Sequence, residues 1–434
     1  MNRVDLLEPL LEGGIANTNF FNGRLLSAED LRAEQKAGRQ QRSQLGRAVG
    51  AGVVDGLWVE RAAAGGELAA VMKVSAGLAL NALGQPLALP SDTEVALVRA
   101  PEAGGAADAG LFSPCLPPSQ TAVVAGAGVY VLAISPASGY TGRASTSGLG
   151  DAGLSSPGCG SRYAIEGVQF KLAALDVNKL GLPPDAVVEV AGLMEATDAA
   201  SSSKLRNILA HLCYGDEELR RRARDIFDPS TTDSPEYGAL DALRRQGVLT
   251  DCDVPLALLY WTTGGIQFVD AWAARRSPAV PSSAGRFAPF VAERRVREAE
   301  AMFLQFQQQL RETHGSEPSL DQMVASERFA YLPPVGFLPL DGPGGTPGFA
   351  YRNFFAGLSF RPPHYIEGAV AEPLMRLALN YGPVSVARRE PLWLYQVLDG
   401  TTPRPYLIFV TAYVPFQAET RFDFVRWNFS RFAA

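Results

Sequence analysis

Near residue 50 the chain passes from a stretch with no apolar stripe to one in which apolar side chains recur at every second position, and this change limits the folds open to it. Leu57 and Val59, then Met72, Val74 and Ala76, then Leu78 and Leu80, then Leu87 and Leu89 step by two. That spacing places side chains on one face of a strand. Gly65-Gly66 and the stretch from Asn81 to Gly84 supply turns between the runs. A small antiparallel β unit is therefore expected over about 52–100.

The preceding segment reads differently. Ser27 suits a helix N-cap, and Glu29 and Asp30 follow where the positive end of the helix dipole favours carboxylates. A helix over about 28–45 then carries Arg32, Glu34, Gln35, Lys36, Arg39, Gln40, Gln41, Arg42 and Gln44, with Leu31, Leu45 and a few alanines as its apolar positions. A helix polar nearly all round cannot be a core element of its own domain. It is either a solvated strut or a segment laid against a neighbouring subunit. Just ahead of it, Asn22-Gly23 favours a bend, which sets Phe20 and Phe21 at a turn. Exposed Phe side chains are costly in water, so residues 1–48 are expected to form an attachment arm, with Phe20, Phe21, Arg24, Leu25 and Leu31 as interface candidates.

At 434 residues a single core is not expected, because cores stop growing beyond roughly 250–300 residues. The anticipated class is α+β, mainly antiparallel β with several helices, and multidomain. Beyond the arm of residues 1–48, the segments are a β-rich 49–200 with long Gly/Ser loops, a helix-rich 201–330 with a hairpin, and a β-rich aromatic 331–434. Strands are expected at Val123 to Ile134, Gln169 to Leu175 and Ala186 to Leu193, and the Gly/Ser/Thr-rich stretch from Ser138 to Gly160 is expected as decorated loop.

Leu205, Ile208, Leu209 and Leu212 recur at helical spacing after a serine run suited to capping. Gly215-Asp216 then breaks the chain into a second helix reaching about 227. Ser234-Pro235 opens a third helix with Gly247 past its end, and the Gly-Gly pair within Thr262 to Ile266 predicts a hairpin. Ala292, Val296, Ala299, Phe303, Phe306 and Leu310 trace a heptad seam on a helix over about 289–313. Packing on its own domain and pairing with a partner both remain open, so Phe303 and Phe306 join the interface candidates. Ser319 with Gln322 suggests a capping box, and Pro333-Pro334 ends that region. Phe422, Phe424, Trp427, Phe429 and Phe432, interleaved with arginines, read as a closing strand of the β-rich end.

Chemistry-bearing patterns are sparse. His211, His314 and His364 are the three histidines, and no G-x-S-x-G, H-E-x-x-H or P-loop occurs. His211 and Cys213 could meet Asp251, Cys252 and Asp253 around zinc, but a lone buried Cys more often acts as a small apolar residue. Cys115, Cys159, Cys213 and Cys252 show no C-x-x-C spacing and are expected to be reduced. No enzyme activity and no cofactor is expected. The net charge of −6 argues against nucleic acid, and the run Arg220 to Arg224 follows Glu217 and Glu218 as on a solvated helix face. No window approaches the ~20 apolar residues that cross a bilayer, and the amino-terminal residues lack a secretory signal pattern.

Several blocks together resemble a known group. Phe21-Asn-Gly-Arg-Leu-Leu, the acidic helix start, Glu34-Gln35, Gly52-Val-Val-Asp-Gly-Leu-Trp-Val and Val74-Ser-Ala-Gly-Leu-Ala resemble the amino-terminal module of proteins encoded in contractile, phage-tail-like injection-system clusters. Leu249-Thr-Asp-Cys-Asp-Val-Pro-Leu-Ala-Leu-Leu-Tyr-Trp, Phe268-Val-Asp-Ala-Trp and Tyr331-Leu-Pro-Pro-Val-Gly-Phe-Leu-Pro-Leu are similar to further stretches of that group. The chain departs from the group between Gly46 and Ala51, where it lacks a His-Gly pair. The resemblance implies a structural part of the baseplate or an attached factor. It would be assembled in the cytoplasm with other particle subunits, with self-association in the assembly, and released with the extracellular particle. The alternatives are a particle-borne carbohydrate- or envelope-active protein and a free cytosolic binding protein.

Overall fold

The computed structural model of the chain describes residues 11, 13–62, 71–97, 128–145, 159–180, 182–215, 237–262, 264–280, 293–316, 320–341, 348–388, 390–398 and 405–411, the side chains at 145, 159, 314–316 and 398 excepted. Its helices and strands lie in mostly antiparallel sheets, so the fold is α+β and multidomain. Helix α1 (Ala28–Val49) leads into strands β1 (Gly52–Gly56), β2 (Val59–Arg61), β3 (Val71–Val74), β4 (Gly77–Leu80), β5 (Pro86–Leu89) and β6 (Thr93–Ala96). These form two antiparallel three-stranded sheets, β1-β4-β5 and β2-β3-β6.

Leu57, Val59, Met72, Val74, Leu87 and Leu89 are buried, as the alternation predicts. In β4 the buried residue is instead Ala79, while Leu78 and Leu80 are half-buried. Ala79 lies opposite Val53 on one side and Leu87 on the other, both buried, so it is the inward position of β4.

A central antiparallel sheet follows in the order β10-β9-β7-β8, from β7 (Gly128–Ser145), β8 (Cys159–Ala174), β9 (Val254–Thr262) and β10 (Gly265–Asp270). It is covered on both faces. Val129, Val131 and Ala133 point into a core shared with helices α2 (Pro184–Glu195), α3 (Ala199–Tyr214), α4 (Ala239–Arg245) and α5 (Ala271–Ala274), while Tyr130, Leu132 and Ile134 meet the β1–β6 unit. Burial on both sides explains why this strand is apolar at successive positions. Because β9 pairs with β7, residues 49–200 and 201–330 share this sheet. The β9–β10 hairpin forms, but Gly265 is already a residue of β10, opposite Thr262, so the Gly264-Gly265 pair is not the expected two-residue turn.

Three expectations are corrected. The stretch from Ser138 to Gly160 is not simply loop: β7 and β8 stay paired from Ser138↔Glu166 to Ser145↔Cys159, as a two-stranded ribbon beyond the core. Residues 140–144 and 161–167 of the ribbon are exposed, so it needs no apolar stripe, and composition hid it. Ala186 to Leu193 is helical rather than extended. Pro184 starts α2, and Val190, Leu193 and Met194 fall on its core-facing side, so the stripe and the proline start outweigh the strand preference of its valines. The serines after residue 200 lie inside α3, whose cap is Asp198, accepting from the Ser201 amide at 2.8 Å.

The C-terminal body is built on a sheet in the order β12-β16-β15-β13, from β12 (Val335–Pro339), β13 (His364–Glu367), β15 (Trp393–Leu398) and β16 (Tyr406–Val410), beside the short pair β11 (Tyr331–Leu332) and β14 (Val384–Ser385). β13 and β15 are parallel, joined through helix α9 (Gly368–Ala378), an element not foreseen in a region expected to be β-rich. Val370, Ala371, Leu374 and Ala378 give α9 a narrow buried stripe. Short helices α7 (Ala325–Arg328) and α8 (Tyr351–Phe354) complete this part. Helix α6 (Glu293–Ser316) joins the two bodies: Ala301 and Met302 enter the core beneath the central sheet, and Phe306 and Leu310 enter a core of the C-terminal sheet. The helix expected to reach 227, the Ser234-Pro235 start, Arg220 to Arg224, Ser319, Val123 and the aromatic run from Phe422 to Phe432 lie outside the described residues.

Candidate functional site

The amino-terminal segment inverts the usual arrangement of polar and apolar groups. Gly23 has φ +90°, the conformation anticipated for the Asn22-Gly23 bend, and the Arg24 amide donates to Phe21 O across it. The polar groups then turn inward onto α1. The Thr18 amide donates to Glu34 Oε2 at 3.1 Å, the Thr18 hydroxyl to Asp30 O at 2.9 Å, and the Arg24 guanidinium to Asn19 O and the Asp30 carboxylate. Ser27 and Asp30 form a reciprocal capping box, Asp30 Oδ2 accepting from the Ser27 amide at 2.9 Å. These Ser27 hydrogen bonds, aided by Arg24, hold the Asp30 carboxyl below its ordinary range.

Beside these inward polar contacts, the segment presents apolar side chains to water. Phe20 is 57% exposed, Phe21 63% and Leu25 94%, and Leu26 and Leu31 are half or more exposed. The Arg24 guanidinium lies over the Phe21 ring at 5.9 Å. The five arm candidates are thus one locally ordered hook at the start of α1.

The other end of α1 is fixed to the body. Ala37 and Gly46 are its buried residues, and a methyl group on Gly46 would overlap the backbone carbonyl of Gly84. Arg39 reaches Glu166 of the β8 ribbon at 3.5 Å. Sequence alone suggested a helix with no docking face. The face exists, but it is made of a glycine at close approach rather than of large apolar residues.

Phe306 sits inside the chain, and Phe303 is half-buried at the edge of the C-terminal core. Phe306 is fully buried, tilted against Phe329 at 4.9 Å and edge-on to Phe409 at 5.4 Å; Phe303 meets Phe337 edge-on at 5.4 Å. On the other side of α6 runs a buried polar network that the sequence did not reveal. Arg206 of α3 pairs with Asp270 and with Glu312 of α6, each at 2.6 Å. Gln305 donates to Asp270 at 3.1 Å and to Gln309 at 2.7 Å, and Gln309 donates to Ser203 O at 2.9 Å. Burial opposes the Arg206 charge, but Asp270 and Glu312 outweigh it and raise its pKa.

A cavity of about 450 Å³ lies where the end of α1, the start of β1, α4, α5 and α6 meet. Asp241 and Glu298 in its wall are buried and joined by Arg294, at 2.8 and 2.9 Å; Tyr237 donates to Glu298 at 2.9 Å. Burial and the Glu298 charge push the Tyr237 phenol up. Arg276, also lining it, gives its donors to the carbonyls of Trp272, Ala273 and Arg275. Asp241 and Glu298 already accept from arginine, so neither presents an uncommitted carboxylate pair to the cavity.

The zinc alternative does not assemble. His211 stacks on Tyr331 at 4.7 Å, and Asp253 accepts from Ser135, Lys171 and Thr250. Burial pushes the Cys213 thiol up to about 12. Cys252 is disulfide-bonded, which corrects the expectation that all four cysteines are reduced. Among the described residues no group of three or more His, Cys, Asp or Glu side chains could hold a metal ion, and no described helix is long and apolar enough to cross a membrane. No protein-family model matches the chain, and no curated protein matches it.

Proposed function

We propose that this chain is a structural, non-enzymatic component of a contractile, phage-tail-like particle, in or around the baseplate or attached to it as a peripheral factor. Its hook at residues 18–31 is the point of attachment to another subunit, and it is assembled in the cytoplasm and leaves with the particle. The observation that carries this is the hook itself: polar groups are consumed by local hydrogen bonds while Phe20, Phe21 and Leu25 remain in water. Burying each large side chain on a partner is worth roughly 2 kcal/mol at best, and local order lowers the entropy lost on binding. The resemblance of the Phe21-Asn-Gly-Arg-Leu-Leu block supplies the setting. Co-sedimentation of the full chain and of a Phe20→Ser/Phe21→Ser/Leu25→Ser variant with purified particles tests it. The variant is expected to keep its melting transition and leave the particle fraction; retention at wild-type stoichiometry overturns the proposal.

A second reading, a carbohydrate- or envelope-active role, rests on the cavity's volume of about 450 Å³ alone, since Asp241, Glu298 and Arg276 in its wall are already bonded within the chain. Calorimetric titration with soluble cell-wall glycan fragments separates the two: saturable binding abolished by Arg276→Ala supports it, and no heat of binding removes it.

A further inference from the structure

Among the described residues the β8 edge of the β7–β8 ribbon has no partner strand, and the sequence of that edge complements itself. Within the central sheet β8 is the last strand, and among the described residues its pairing is with β7 alone. Beyond Ile134 the pairing of β7 with β9 ends, so from Ser135 outward the two strands continue without a third. Residues 161–167 of β8 are all exposed, with Tyr163 and Ile165 each more than half open to water. Natural sheets blunt such edges with proline, bulges or repeated charge, since an open edge recruits another strand. This edge carries no proline, and Gly160, Ala164 and Gly167 keep it slim.

Reading the exposed stretch against itself in the antiparallel sense, with Ala164 opposite Ala164, places Arg162 opposite Glu166 and Tyr163 opposite Ile165, and each of these pairs occurs twice across the two-fold axis. Opposite charges and aromatic–β-branched neighbours are the cross-strand pairs that stabilise antiparallel ladders, by roughly 0.2–1 kcal/mol each. A register moved by one residue would set Arg162 against Ile165 or Gly167, and would lose both kinds of pair. Glu166 is 59% exposed even with Arg39 beside it, so its carboxylate can accept from a second arginine.

We infer that two copies of this chain join edge to edge through β8, in an antiparallel ladder centred on Ala164, merging their ribbons into one sheet. The contact is isologous, as two-fold symmetry requires, and it lies on a different element from the hook, so it stands or falls independently of the attachment role.

Sedimentation equilibrium of the full chain across a wide concentration range tests this, with circular dichroism as the control for folding. The wild-type chain is expected to pass from monomer to dimer. Arg162→Glu and Glu166→Arg each set like charges opposite one another twice and should weaken the dimer by about tenfold or more. The double swap Arg162→Glu/Glu166→Arg restores both pairs and should restore dimerisation, whereas Arg39→Gln should leave it unchanged. A wild-type chain that stays monomeric throughout overturns the inference, as does a dimer indifferent to either single swap. A double swap that fails to recover overturns the register. Loss of dimer in the Phe20→Ser/Phe21→Ser/Leu25→Ser variant, with β8 variants unaffected, would assign self-association to the hook instead.

Discussion

Helices α1 and α6 look alike in sequence and differ in almost every physical respect. Both are long, 22 and 24 residues, and both are dominated by Arg, Glu and Gln. In α1 only Ala37 and Gly46 are buried, and all its charged residues except Asp30 and Arg39 are exposed. In α6, Arg295, Glu298, Gln305, Gln309 and Thr313 are buried together with Ala299, Met302, Phe306 and Leu310. Polar composition therefore does not decide exposure. What decides it is whether the fold supplies partners for the polar groups: α6 meets Arg206, Asp270, Ser203 and Tyr237, whereas the polar groups at the start of α1 are satisfied by its own preceding turn.

The comparison breaks most visibly at Asp270. Changing Asp270 to Ala leaves Arg206 buried without its fully buried carboxylate partner and removes the cap that Asp270 gives α5 through the Ala273 amide at 2.9 Å. Loss of one partner of a buried pair costs about 3–5 kcal/mol, with about 1 kcal/mol more for the cap. Urea denaturation should show the midpoint fall accordingly; a change under about 1 kcal/mol would mean the network does not hold α6 in place. Phe306→Ala comes next, at about 3–5 kcal/mol for truncating a fully buried Phe. A normal melting curve with altered association would return Phe306 to the interface candidates.

The third effect has an unusual sign. Replacing a helical Gly by Ala normally stabilises by roughly 0.5–1 kcal/mol. At Gly46 the new methyl would overlap the Gly84 carbonyl, and backbone rather than a flexible side chain must move. Gly46→Ala is therefore expected to destabilise by about 1–3 kcal/mol and to increase proteolysis within α1. A stabilising result would show that α1 is a free strut.

What was legible follows the same division. The Ser27 cap, the bend at Gly23, the Gly215 helix end and the β9–β10 hairpin are set by local chemistry, and each could be read from a few neighbouring residues. The α6 seam was legible from Ala299 to Leu310 but not at Val296, which is exposed while Arg295 and Glu298 beside it are buried, and its destination was not legible, because Phe306 meets Phe329 and Phe409, distant in sequence. Arg206, Asp270, Asp241 and Glu298 carried no local signal at all: a polar residue in an amphipathic pattern looks the same whether it faces water or a counter-charge from another helix. The ribbon from Ser138 was missed because alternation signals a strand only when one face is buried. At the candidate site, the hook residues were found from exposed aromatics beside a turn, while the inward polar contacts that order them needed three dimensions.

The smallest effect isolates the hook from everything else. Ser27 and Arg24 hold the Asp30 carboxyl below its ordinary value, so its charged form is favoured in the folded hook. For a group depressed in this way the contribution is complete above the unfolded carboxylate pKa, near 3.9, and is lost as pH falls through the lower folded value. Acidification through that window should open the first turn of α1 before it disturbs the body. Amide hydrogen exchange at residues 27–31 is the suitable probe, since the global melt also responds to other carboxylates, such as Asp198, that are depressed by their own caps. Asp30→Asn removes the titration, and its exchange rates there should already be raised at neutral pH and should show no additional opening on acidification. If wild-type exchange at residues 27–31 stays flat through the window while Asp30→Asn matches it at neutral pH, the capping box does not order the hook. The contrast between a hook held by its own turn and a helix held by its neighbours would then fail on the α1 side.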